Sequence, residues 1–118
     1  MKRKTIRNHR DFLTTPKDLM VRTDCFMVKA KNAKIPNDAR YGIIVSKKSL
    51  RFATQRNRAK RMLRDWIYFC EDLMLPEFDY IFIGRFNILN VERDIGRNQM
   101  KSALKKISDL YKNQKNDK

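Results

Sequence analysis

The sequence predicts a single α+β domain, a small central sheet with helices packed against it. Three observations predict this. The length of 118 residues suits one domain with one modest core. Short apolar runs, "DCFMVKA", "RYGIIVS" and "DYIFIGR", have the length and composition of strands. Stretches at 53–73 and 98–111 carry apolar residues at helical spacing. Strands mixed with helices on one sheet give an α/β sandwich of the α+β type.

The elements follow in the order α-β-β-(β)-α-β-α. Asn8 to Leu13 predicts a short helix, interrupted at Thr14-Thr15-Pro16. Thr15, Pro16 and Asp18 match a helix N-cap, first and third position, so a further helical turn is expected through Met20. Asp24 to Ala30 predicts a strand with Phe26 and Val28 on one face and Cys25, Met27 and Lys29 on the other. "NAKIPND" reads as a turn, and Arg40 to Ser46 as a second, more buried strand. A helix is expected from Ala53 to Leu73, stopped by Pro76. Asp79 to Arg85 is a third apolar strand. The last helix fits Asn98 to Tyr111, with Met100, Ala103, Leu104, Ile107, Leu110 and Tyr111 on one stripe. Residues 1–118 form one domain in this reading, with the polar ends, 1–7 and 112–118, expected to be flexible.

Charge narrows the function. Twenty-eight Lys and Arg against 13 Asp and Glu give a net charge of +15, a self-repulsion that a polyanionic partner relieves. Nucleic acid is the first candidate partner and an anionic membrane surface the second. No apolar run approaches the ~18 residues of a membrane span, and "MKRKTIRNHR" lacks the apolar stretch of a signal peptide. The chain is therefore expected in the cytoplasm. Cys25 and Cys70 stand far apart, outside any C-x-x-C pattern, and are expected as reduced, buried thiols.

The charge concentrates in "KKSLRFATQRNRAKRMLRDW", residues 47–66, which holds no carboxylate before Asp65. At about 100° per residue, Arg56, Asn57, Lys60, Arg61 and Arg64 fall on one arc. Ala59, Met62, Leu63, Trp66, Ile67, Phe69 and Cys70 fall on the other, and Arg58 lies at its edge. Ordinary surface helices mix charge signs, because like charges at i,i+4 cost a few tenths of a kcal/mol. Arg56, Lys60 and Arg64 repeat at that spacing without an acid between them. A phosphate backbone relieves the repulsion, since Arg grips phosphate with two parallel hydrogen bonds. Asn57 adds an amide suited to a base edge or a 2′-hydroxyl.

These residues carry a resemblance. "RNRAKRMLR" at 56–64, preceded by "GIIVSKK", resembles the bacterial ribonuclease P protein subunit, whose R-N-x-x-K-R-x-x-R helix follows a strand ending in S-K-K. Ser46, Lys47, Lys48, Arg56, Asn57, Lys60, Arg61 and Arg64 match as they stand, and the element order agrees over residues 8–111. The resemblance implies a small α/β sandwich with the basic helix in a left-handed β-α-β crossover, a hand that general statistics disfavour. It implies a protein that binds the catalytic RNA of ribonuclease P and the 5′ leader of precursor tRNA. The active site and its Mg²⁺ ions then belong to the RNA, and the protein is expected to be monomeric by itself. The implied RNA-binding residues are Lys47, Lys48, Arg56, Asn57, Arg58, Lys60, Arg61 and Arg64. Phe12, Phe26, Lys29 and Ser46 are candidates for the leader cleft, with Phe26 read as cleft or core.

The residues themselves agree with a non-catalytic protein. One histidine, His9, cannot make a two-histidine ribonuclease site and is read as a surface residue or phosphate contact. The acids are scattered rather than clustered as a two-metal nuclease requires. No catalytic residue and no metal ligand is therefore assigned. Tyr41, Trp66, Phe69 and Tyr80 fit core stripes, and Phe52 and Phe86 flank elements without an assignment. The chain departs from the family pattern in three places. Pro16 stands where a second aromatic is common, Lys29 where a Tyr is common, and "SLRFATQ" leads into the helix without glycine. The runner-up reading is a ribosomal or other structured-RNA-binding protein without a processing role. A membrane-surface protein ranks lower, because the apolar face of the basic helix is needed to cover the strands.

Overall fold

The computed structural model describes residues 3–116, with side chains through Gln114. Among these residues five strands form one sheet: β1 (Lys4–Thr5), β2 (Leu19–Arg22), β3 (Phe26–Asn32), β4 (Arg40–Ile44) and β5 (Phe78–Gly84). Their order across the sheet is β1-β4-β5-β3-β2. β4 and β5 run parallel, joined by helix α1 (Ala53–Phe69), while β3 pairs antiparallel with both β5 and β2. A second helix, α2 (Arg93–Asn116), closes the chain, and a 3-10 turn at His9–Phe12 precedes β2.

Strand alternation sorts the sheet into two faces. Phe26, Val28 and Ala30 of β3 lie in register with Gly84, Phe82 and Tyr80 of β5, and all six are buried. This face packs under α1 and α2, in a core with Ala59, Leu63, Trp66, Ile67, Met100, Ala103, Leu104 and Ile107. Phe26 and Trp66 meet with ring centroids 6.3 Å apart. Tyr111 meets Phe78 edge-on at 4.8 Å. The opposite face carries Met27, Lys29 and Lys31 beside Ile83, Ile81 and Asp79. It also carries Gly42 and Ile44 of β4.

Several expectations need correction. Part of the amino-terminal stretch expected to be flexible is built into the sheet. Lys4 and Thr5 pair in parallel with Arg40 and Tyr41, and Ile6 is buried. Arg3 is tied down by Nη1 donating to the Phe78 carbonyl at 2.6 Å and Nη2 to that of Leu75 at 2.9 Å. At the other end, 112–116 continue α2; residues 1, 2, 117 and 118 lie outside the described residues. The turn at Thr15–Asp18 makes helix-cap hydrogen bonds, from the Thr15 N–H to Asp18 Oδ2 and the Lys17 N–H to Thr15 Oγ1, yet continues as β2. α1 ends at Phe69 rather than Leu73, because Cys70 leaves helical dihedrals (φ −108°, ψ 12°) and a 3-10 turn, Glu71–Leu73, follows. Phe69 is 59% exposed rather than core, lying under the Arg97 guanidinium at 4.3 Å. Leu110, expected on the buried stripe, is exposed.

α2 begins at Arg93, five residues before the expected start, and its first turns cross α1 at Gly96. A side chain at Gly96 would overlap the Trp66 ring. Both cysteines are buried free thiols whose pKa burial pushes up; Cys25 Sγ donates to Gln99 Oε1 at 3.1 Å. Gly96→Ala is expected to overpack this crossing and lower stability by about 1–3 kcal/mol, read as a lower urea midpoint. An unchanged midpoint would mean that the two helices can move apart freely.

Candidate nucleic-acid interface

The lead-in to α1 is a tight turn. The Ser49 N–H donates to Ser46 Oγ at 3.1 Å and the Leu50 N–H to the Ser46 carbonyl at 3.0 Å, leaving Lys47 and Lys48 exposed. Leu50 is buried and anchors the turn to the core. Phe52 takes the N-cap position, where Ser, Thr, Asp or Asn is preferred. It offers no side-chain cap, and its N–H donates to Gln55 Oε1 at 3.3 Å. The Phe52 ring is exposed, with the Arg51 guanidinium 5.7 Å from its centroid.

Along α1 the buried line is Ala59, Leu63, Trp66 and Ile67. Asn57, Arg58, Arg61 and Arg64 are exposed, and Arg56 and Lys60 half-buried. Among the described residues, none of Lys47, Lys48, Arg58, Lys60, Arg61 and Arg64 takes part in an ion pair. The one acid of α1, Asp65, is engaged elsewhere: Arg97 grips it through Nε at 3.2 Å and Nη2 at 3.0 Å. This hydrogen bonding to Asp65 raises the Arg97 pKa. Arg56 stands apart from its neighbours. Its Nη1 donates to the carbonyls of Leu50 and Arg51, at 3.0 and 2.8 Å, so this guanidinium fastens the lead-in turn to the helix.

The sheet face away from the helices is built as a second surface. The 3-10 turn at His9–Phe12 crosses it, started by the Arg10 N–H donating to Asn8 Oδ1 at 3.0 Å. Asp11 on this turn accepts from Arg40 Nη1 at 2.9 Å and Lys34 Nζ at 3.2 Å. Arg40 in turn reaches Asp79 at 3.1 Å. Lys31 Nζ donates to the carbonyls of Asp11 and Leu13, and Lys29 Nζ to Thr14 Oγ1 at 3.1 Å. The strapped turn lays the half-buried Phe12 ring on Gly42, so closely that a side chain there would overlap the ring. Beside it run half-buried Met27, Ile44 and Ile83 and the buried Ile81, with Lys29 next to Ile81 in register. The result is an apolar strip with one aromatic and a rim of cations.

The structure therefore gathers Phe12 and Lys29 on one surface and puts Ser46 in the turn just past β4. It removes Phe26 from the cleft candidates. Phe26 is fully buried on the helix-covered face, because strand alternation turns it opposite to Met27 and Lys29. Met27, Ile44, Ile81 and Ile83 were missed as surface formers. The signal was the alternation of Ile81 and Ile83 with Tyr80 and Phe82 in a run read as uniformly apolar. Among the described residues, no three of His, Cys, Asp and Glu gather where they could hold a metal ion.

The Arg40 hydrogen bond, with help from Lys34, holds the Asp11 carboxyl below its ordinary value against the opposing effect of burial. A lowered carboxyl pKa contributes stability that is complete above its unfolded value, about 3.9, and is lost as pH falls through the folded one. Asp11→Asn is therefore expected to flatten the acid limb of a stability-versus-pH curve below about pH 4. An acid limb identical to that of the unsubstituted chain would show that the strap does not depend on this charge.

The sequence matches the family described as Ribonuclease P over residues 1–108. A Marinobacter nauticus protein named "Ribonuclease P protein component" is 36% identical over 74 residues, which span 63% of this chain and 54% of that protein. The Ureaplasma parvum protein of the same name is 24% identical over 104 residues, 87% of this chain and 90% of that one. Among solved structures, the Staphylococcus aureus RNase P protein aligns with a TM-score of 0.67 at 28% identity, covering 94% of this chain and 97% of that one. The Thermotoga maritima RNase P protein aligns at 0.65 and 26%, covering 85% and 97%.

Proposed function

The chain belongs to the ribonuclease P protein family, and from that membership we propose that it acts as the protein subunit of ribonuclease P. In this reading it binds the catalytic RNA and the 5′ leader of precursor tRNA. It assists the endonucleolytic removal of that leader, which forms the mature tRNA 5′ end. The observation that carries the reading is the cation ridge of α1, left without internal counter-charge on the helix that holds the R-N-x-x-K-R-x-x-R motif.

The division of labour follows from the two surfaces. Lys47, Lys48, Asn57, Arg58, Lys60, Arg61 and Arg64 face the catalytic RNA, with Arg56 shaping the turn before them and offering its remaining N–H groups. The strip beside Phe12 takes the single-stranded leader, one base stacking on the Phe12 ring for about 1–3 kcal/mol. Lys29 stands within the strip and gives a leader phosphate a cation. Ser46 supplies a hydroxyl where the strip meets the basic turn.

The chemistry of cleavage resides in the RNA, together with the Mg²⁺ that the holoenzyme uses. This is supported by a single, exposed histidine and by scattered acids. The protein is taken to be monomeric by itself and to work in the cytoplasm. No helix among the described residues is long and apolar enough to cross a membrane.

Reconstitution tests the reading directly. The purified chain alone is expected to cleave nothing, and to enhance leader removal by its cognate ribonuclease P RNA at low Mg²⁺; no enhancement would overturn the reading. Arg61→Ala and Arg64→Ala are each expected to weaken RNA binding and reduce the log–log salt slope by about one unit at most. Unchanged slopes in both would place the RNA surface elsewhere. Phe12→Ala is expected to reduce affinity for tRNA that carries a leader and to spare mature tRNA; equal losses for both would make Phe12 a purely structural residue.

A further inference from the structure

Resting on the RNA-binding reading above, we propose that the groove between α1 and the first turn of α2 is a nucleotide subsite. It takes one phosphate and its adjoining base from an unpaired stretch of the RNA partner. The groove holds about 280 Å³ and is lined by Arg58, Arg61, Met62, Asp65, Trp66 and Arg93. Typical small-ligand sites span roughly 300–1,000 Å³, so this one suits a single nucleotide unit rather than a larger cofactor.

Its chemistry is specific in two respects. Three arginines line it, and its acid is already gripped by Arg97. Arg58 and Arg61 have no ion pair among the described residues, and Arg93 only a 3.9 Å approach to Asp65. Glu92 and Asp94 flank Arg93 in the chain, but neither lines the groove. The lining also includes half-buried Met62, a polarisable side chain, above Trp66, which is 1% exposed. A ligand that uses both the cations and the apolar lining is anionic and carries a weakly polar body. A nucleotide is both, whereas a bare phosphate or an acidic peptide segment leaves that lining unused. Lys60 and Arg64 fall on the other flank of α1 at about 100° per residue, so RNA is gripped on both sides of this helix. Arg93, remote from the basic motif in sequence, becomes an RNA contact.

Trp66 is the sole tryptophan, so its fluorescence reports on the groove. Titration with adenosine 5′-monophosphate is expected to give a saturable change, weaker with inorganic phosphate and strongly weakened in Arg93→Gln. Arg93 is an exposed side chain, and equal urea midpoints check that the variant folds. In the protein–RNA complex, Arg93→Gln is expected to lower the salt slope by about one unit, while Lys106→Gln, an exposed cation further along α2, leaves it alone. Phosphate binding as well as the mononucleotide would reduce the groove to a plain anion site and overturn the proposal. Equal slopes for the Arg93 and Lys106 variants, with normal RNA binding by the unsubstituted chain, would overturn it and leave the function standing. Failure of the unsubstituted chain to bind the RNA would remove the function and the groove with it.

Discussion

The structure depends on one arginine held between two carboxylates. Arg40 has a side chain only 13% exposed, and Asp79, which it touches, is fully buried. Burial alone would lower the Arg40 pKa, but hydrogen bonds to Asp11 and Asp79 outweigh it and raise it above its ordinary value. The Arg40 N–H also donates to Asp79 at 2.7 Å, and the Lys34 N–H to its other oxygen at 3.4 Å. Four segments meet at this point: β4, β5, the loop before β4 and the 3-10 turn. Desolvation offsets much of the attraction in such an arrangement, so its larger contribution is geometric. Removing a member leaves a buried charge without its partner, and the alternatives to this geometry are correspondingly costly. Arg40 Nε is left without a partner of its own, one further sign that position rather than full satisfaction decides the site.

From that point the two candidate surfaces differ in how they are fastened. The sheet surface is fastened by Arg40, Lys29, Lys31 and Lys34, each hydrogen-bonded to the segment 11–14 around Phe12. The helix surface is fastened from beneath, through Leu63, Trp66 and Ile67, and leaves its cations uncommitted apart from Arg56. Basic residues therefore divide into two working groups that composition cannot separate. One ties the turn around Phe12 to the sheet, and the other makes no ion pair among the described residues.

Much of this was legible in the sequence, and the exceptions have physical reasons. The faces of α1 followed from helical periodicity, and the pairing of strands with helices from period and length. Phe69 was misplaced because it lies at the border of the apolar arc, where a neighbouring guanidinium decides exposure. The early start of α2 was hidden by Gly96, a residue that disfavours helices; it is tolerated because Trp66 occupies the space of its side chain. β2 was hidden because Thr15 and Asp18 make the same local hydrogen bonds ahead of a strand as they would ahead of a helix. β1 is two residues long and exists only through its partner β4, so no local pattern marks it. Phe12 and Lys29 could be named from motif, but the strap that aims them could not. Its five hydrogen bonds join residues between 15 and 29 positions apart in the chain.

The clamp at Arg3 has a consequence for synthesis. Its three hydrogen-bond partners, Glu71, Leu75 and Phe78, follow it by 68, 72 and 75 residues. The amino end leaves the ribosome first, yet its anchorage waits until β5 has been made. Until then the edge of β4 that β1 will occupy is an unpaired template in the nascent chain, open to wrong partners. The brevity of β1 limits what can be captured there, and the arginine locks the correct pairing once the strand arrives.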